Sequence, residues 1–255
     1  MAHWVRFDDA GEVGFGTLDG DTITVHEGDL FAGAEATART LPLAAATLLT
    51  PTAPSKLIAL WNNFHAMAAK FELAIPEEPL YFMKGSNSFL AAGQTIRSPR
   101  AYHGRVVFEG ELGIVIGRTA REVSEREAGD YVFGYTCIND VTAFDLINKD
   151  PSFAQWTRAK SFDTFGVFGP VVASGIDPDG LSIRTLLDGE ERQNYPVSDM
   201  IFSPPQLVSL ISRDMTLEPG DVIACGTSVG AGRMKPGSTI EVAIEGIGRL
   251  SNRFE

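Results

Sequence analysis

The sequence predicts a β-rich α+β fold, and three observations carry that expectation. From Trp4 onward, short runs of alternating apolar and polar residues are separated by turn residues, which is the pattern of half-buried strands. Strand-like segments outnumber helix-like ones along the chain, and no internal repeat or low-complexity stretch interrupts them. Finally, 255 residues with 44% hydrophobic content can bury a full core, enough for one large domain or a large domain carrying a small one.

In chain order, the runs WVRF, VGFGTL and TITVHEG, broken by DDAG and DGD, read as a β-meander. Residues 29–49 are rich in Ala and Leu and predict short helical turns; PTAPS at 51–55 reads as a linker. That places a small N-terminal β domain and its linker at 1–55 and a main domain at 56–255. The main domain opens with a strand, KLIAL, followed by helix-forming composition over 63–73 with Asn62 or Asn63 as cap and His65 in the first turn. LYFMK is a further strand, and 105–117 (RVVFEGELGIVIG) reads as one continuous strand. Residues 122–130 (EVSEREAGD) predict a solvated helix, leading into the apolar strand YVFGYTCIND that ends in Asn139 and Asp140. Residues 204–212 predict an amphipathic helix, and two strands, 221–225 and 239–244, flank the Gly-rich turn GTSVGAG.

Composition excludes several function classes. The net charge of −12, from 33 acidic and 21 basic residues without a Lys/Arg cluster, argues against nucleic-acid or anionic-membrane partners. No apolar run approaches the ~20 residues of a membrane span, and residues 1–7 lack signal-peptide shape, so a soluble, cytoplasmic protein is expected. Cys137 and Cys225 lie in apolar segments without CxxC spacing, which predicts two buried thiols.

The chemistry concentrates in 105–117. As a strand it puts Phe108, Leu112, Ile114 and Ile116 on one face and Glu109 and Glu111 on the other. Two like charges on one face repel, and their apolar and Gly neighbours Val107, Gly113, Val115 and Gly117 suggest a strand covered on both sides. A hard cation, Mg²⁺, Mn²⁺ or Ca²⁺, would hold such a pair, with a third oxygen ligand from elsewhere in the chain.

The motifs FEGELGIVIG, YVFGYTCINDVTAFD, QWTRAKSFDTF, SDMIF, LEPGDVIACGTSVG and IEGIGRL, in this order, resemble the fumarylacetoacetate hydrolase family over about four fifths of the chain, from Lys56 to the C-terminus. The resemblance implies a mixed β-roll catalytic domain, usually paired as a homodimer, acting on small 2-oxo acids or 1,3-dicarbonyl compounds. It assigns Glu109, Glu111 and Asp140 to the metal, Lys160 to the catalytic site beside it, and His65 to the role of general base. Lys84, Thr227 and Gly226 fall where the family binds substrate. Several positions depart from the family pattern. Ala68 stands where many family hydrolases carry a Glu that pairs with the histidine, Phe144 and Ile147 replace polar positions, LWNNF replaces an Arg-Asn-Tyr pattern, and Ser228 replaces a common proline. With Trp61 and Phe64, these changes predict a larger or more apolar substrate tail. Three functions follow: a metal-dependent C–C hydrolase of a 2,4-dioxo acid such as an acylpyruvate; a decarboxylase, tautomerase or isomerase at the same metal; or a metal-binding relative with little catalysis.

Overall fold

A computed structural model describes residues 1–255. Its regular structure is mostly strand. The first strands, Ala2–Asp9, Glu12–Asp19, Thr22–Glu27 and Glu35–Pro42, form an antiparallel meander. Ala2–Asp9 also pairs with Gly166–Ser174, His3 opposite Ala173, so the meander continues a single large sheet. From Gly166–Ser174 that sheet runs through Val132–Asp140, Gly110–Ile116, Val222–Ala224, Leu57–Trp61 and Leu80–Lys84. All these pairings are antiparallel except Val222–Ala224 with Leu57–Trp61, which is parallel. A second sheet of five strands contains Glu190–Pro196, Ser182–Leu187, Thr239–Ile244, Gly248–Phe254 and Thr95–Ile96. A third joins Val106–Phe108 to Thr142–Ala143 and Gly232–Arg233.

The α+β, β-rich class expected from the sequence is the one observed. Central strands such as Gly110–Ile116 are buried along their whole length, so they read as apolar runs and not as alternations. The helices are Trp156–Lys160, His65–Lys70 and Pro204–Asp214. The last has an apolar face of Leu207, Val208 and Ile211 in the core and begins with a capping box between Ser203 and Gln206. None is long and apolar enough to cross a membrane. Both cysteines are buried and unpaired.

Four local expectations are corrected. Within 29–49 the main element is the strand Glu35–Pro42, because the open edge of Thr22–Glu27 recruits a segment whose Ala content alone favours helix. Residues 122–130 hold only the short 3₁₀ turn Ala128–Tyr131: Glu122 is left-handed at φ 51°, and the Val123 N–H is held by Ser212 Oγ at 3.0 Å. The helix expected over 63–73 is confined to His65–Lys70, because neither asparagine caps it: Asn62 is left-handed at φ 56°, and the Asn63 side chain bonds the Cys225 carbonyl at 2.9 Å. Finally, the strand 105–117 is broken at Glu109, its two halves lying in different sheets.

Candidate metal centre and its pocket

The break at Glu109 is where the site forms. The Glu109 N–H is received by Asn139 Oδ1 at 3.1 Å, and its carbonyl accepts the Asp140 N–H at 2.9 Å, which ties the end of one strand to the end of its neighbour. Glu109, Glu111 and Asp140 thereby bring carboxylate oxygens within 4.8 Å of one another. Glu111 and Asp140 are completely buried. Two buried lysines face them. Lys160 Nζ donates to Asp140 Oδ2 at 2.5 Å and Glu109 Oε2 at 2.6 Å, and Lys84 Nζ is ion-paired with Asp140 Oδ1. Thr142 Oγ1 donates to Glu109 Oε1 at 2.7 Å, and the Gly226 N–H to Glu111 Oε2 at 2.9 Å.

The charges are unequal: three carboxylates against two ammonium groups. Burial opposes the ionisation of Asp140, but Lys160 and Lys84 together outweigh it and hold the carboxyl below its usual value. Burial first, then the Asp140 charge, pushes Glu111 well above the carboxylate range. Lys160 is raised in spite of burial by its acidic neighbours, whereas burial lowers Lys84 even beside Asp140. Glu111 Oε1 is buried with no hydrogen-bond partner at all. An orphaned oxygen in an all-carboxylate donor set with an excess of negative charge fits a hard divalent cation.

Glu109 also reaches a cavity of about 610 Å³. One wall is apolar, with Trp61, Met67, Phe71, Leu73, Val107 and Phe144; the Gly-rich stretch Thr227–Gly232 forms another; Lys70, Arg105 and Arg233 bring positive charge to the lining. Trp61 packs on Trp156 with ring centroids 5.0 Å apart, Trp156 stacks on Phe82, and Lys160 Nζ lies over the Phe82 ring at 5.2 Å. The Arg105 guanidinium covers the exposed Phe144 ring at 4.4 Å and bonds Asp145 at 2.6 and 2.9 Å.

The remaining residues singled out in the sequence divide. Lys84 is turned from the pocket into the carboxylate cluster. Thr227 lines the pocket, yet its hydroxyl donates to the Gly110 carbonyl at 3.0 Å and accepts from Gln193 at 2.8 Å. The Gly226 amide holds Glu111 and is not offered to the cavity. His65 is exposed in the first turn of its helix, its imidazole makes no hydrogen bond, and it is not part of the lining. Of the apolar residues, Trp61 and Phe144 line the cavity, while Phe64 and Ile147 are buried in the core. Sequence reasoning missed Arg105, just before the strand Val106–Phe108, and Arg233, which lies opposite Val107, both lining the pocket with Glu109, and the buried Gln193 and Tyr195 beneath Gly110.

The profile of the family described as Fumarylacetoacetate (FAA) hydrolase C-terminal matches residues 56–255. The chain belongs to the fumarylacetoacetate hydrolase family. A profile described as Rv2993c-like, N-terminal covers residues 2–51. Relatives within the fumarylacetoacetate hydrolase group include oxaloacetate tautomerase YisK of Bacillus subtilis, 38% identical over 214 residues, or 79% of this chain and 70% of that protein. The 4-hydroxyphenylacetate degradation bifunctional isomerase/decarboxylase of Salmonella dublin is 40% identical over 206 residues, or 80% of this chain and 47% of that longer protein. Among solved structures, 2-hydroxyhepta-2,4-diene-1,7-dioate isomerase from Mycobacterium marinum superposes with a TM-score of 0.91 at 35% identity, covering 100% of this chain and 98% of that one. These fumarylacetoacetate hydrolase relatives are enzymes of small molecules, named as tautomerase, isomerase and decarboxylase.

Proposed function

We propose that the chain is a divalent-cation-dependent enzyme of 2-oxo acids that shifts a proton, or exchanges CO₂ for a proton, at the carbon beside the keto group: a tautomerase, isomerase or decarboxylase. The observation that carries this reading is the carboxylate cluster with its orphaned Glu111 oxygen, opening on a pocket that contains positive charge. Held by Glu109, Glu111 and Asp140, Mg²⁺ or Mn²⁺, with Ca²⁺ as a further candidate, would supply a Lewis acid to the adjacent oxygens of a 2-oxo acid.

The chain's own residues supply the rest. Lys160 fixes Asp140 and Glu109 in one orientation, while Lys84 holds the second oxygen of Asp140. Lys70, Arg105 and Arg233 draw an anion into the cavity of a chain whose net charge is −12. His65 is the proposed carrier of the substrate proton, which requires its short helix to turn the imidazole from solvent toward the neighbouring wall formed by Met67 and Lys70. Ala68, buried on the same helix, gives that histidine no acidic partner, and this favours proton transfer over activation of water. The names of the three relatives given above support the same reading. A homodimer and a cytoplasmic setting belong to this proposal.

Hydrolysis of a 2,4-dioxo acid is the second reading, favoured by the apolar wall of Trp61, Met67, Phe71 and Phe144, which suits an acyl tail. Mass spectrometry of products formed in H₂¹⁸O with Mn²⁺ separates the two, using oxaloacetate and acylpyruvates with methyl to aryl tails. CO₂ release, or enol–keto exchange followed in parallel by ultraviolet absorbance, without ¹⁸O in a new carboxylate is expected; ¹⁸O in a cleaved acid would establish the hydrolase instead.

A further inference from the structure

Gly110, the residue between Glu109 and Glu111, has no strand on its outer side. It pairs with Asn139 on one side. On the other, Val222–Ala224 pairs only with Gly113, Ile114 and Val115; a last backbone bond runs from the Cys225 N–H to the Leu112 carbonyl at 2.9 Å, and Gly226 then turns away at φ 90°. A buried N–H and C=O left bare at this point must find other partners. Side chains provide them. Gln193 Oε1 accepts the Gly110 N–H at 3.0 Å, and the Gly110 carbonyl accepts from both the Tyr195 hydroxyl and Thr227 Oγ1. Gln193 Nε2 closes the ring by donating to Thr227 Oγ1 at 2.8 Å and to the Ser228 carbonyl at 3.1 Å.

Because each peptide is planar, these bonds determine the orientation of the units on both sides of Gly110, and with them the directions in which Glu109 and Glu111 leave the backbone. The approach is close: a Cβ on Gly110 would lie 2.0 Å from Thr185 Oγ1 and 3.3 Å from Gln193 Oε1. Gln193 and Tyr195 come from Glu190–Pro196, a strand of the second sheet, and both are almost fully buried. We propose that Gln193 and Tyr195 are positioning residues for the divalent cation, holding Glu109 and Glu111 in the geometry that binds it through a clamp on the Gly110 peptides. This rests on the reading of the carboxylate cluster as a cation site.

The test is Mn²⁺ binding to the full-length chain, measured by calorimetry and by electron paramagnetic resonance, in the parent, Gln193→Leu, Tyr195→Phe and Asn194→Ala, with circular dichroism to establish folding. Loss of outer partners of metal ligands typically weakens affinity about 10–100-fold. Gln193→Leu is expected to fall in that range with an altered zero-field splitting of the bound Mn²⁺. Tyr195→Phe should lose less, because Thr227 still donates to the same carbonyl. Asn194→Ala, exposed on the same strand, should match the parent. Parent-like affinity and spectrum in folded Gln193→Leu would overturn the clamp and leave the cation site standing; a parent that takes up no Mn²⁺ would overturn both. Should Gln193→Leu fail to fold, Tyr195→Phe decides, and an unchanged affinity there overturns the proposal. An equal loss in Asn194→Ala would also overturn it, by tracing the effect to the strand as a whole.

Discussion

Glu111 is the residue on which the cluster is least balanced. One oxygen is held by Gly226 and the other has no partner, while burial and the neighbouring carboxylates oppose its charge. Glu111→Gln keeps the shape and removes the charge. The variant should therefore raise the stability of the metal-free protein by roughly 1–3 kcal/mol, the scale of one unsatisfied buried polar group, and should lose the stabilisation that Mn²⁺ gives the parent. Thermal melts with EDTA and with Mn²⁺ check both halves. The converse holds at Lys160, whose ammonium is the shared partner of Asp140 and Glu109, so that its loss would leave Glu109 without an ammonium partner and the buried Asp140 with Lys84 alone. The period-two spacing of Glu109 and Glu111 and the strand-ending Asp140 were readable in the sequence. Arg105 and Arg233 were not, since lone arginines carry no local signal and only the pairing of Val107 with Arg233 brings the second one to the pocket.

The helix His65–Lys70 is too short to stand alone, as isolated helices below ~12–15 residues are marginal in water. It is held from outside. Phe64 is buried edge-on against Tyr195, and Asp199 Oδ2 accepts the Ala66 N–H at 3.0 Å at the helix start. Asp199→Ala removes that acceptor, and caps of this kind contribute about 1 kcal/mol. Faster tryptic cleavage after Lys70, together with a raised KM because Met67, Lys70 and Phe71 line the pocket, is the expected result. Strands such as Leu80–Lys84 and Thr239–Ile244 were readable to the residue because their apolar pattern and flanking turns agree with the packing. Elsewhere tertiary demands override local preference. Glu35–Pro42 becomes a strand because a neighbouring edge is open, and 105–117 breaks at Glu109 because its halves serve two sheets. The clamp on Gly110 shows only as Gln193 and Tyr195 sharing one parity in Glu190–Pro196, a weak mark for polar residues that turn inward.

Across the molecule, the N-terminal meander closes the edge of the sheet that carries the site. Ala2, His3 and Trp4 pair with Ser174, Ala173 and Val172, and deleting residues 1–51 would leave that part of Gly166–Ser174 bare. Exposed apolar edges recruit other chains, so the truncated protein should form larger species than the parent, which light scattering would register. The high negative charge works against this association without removing the unpaired edge. The aromatic stack beside the pocket has a different consequence. Of the three tryptophans, Trp4 lies in the N-terminal sheet against His26 and Phe133, while Trp61 lines the cavity and passes its contact through Trp156 and Phe82 toward Lys160. The protein therefore carries a built-in fluorophore pair at its pocket, and changes in its ultraviolet emission can report what enters without a label.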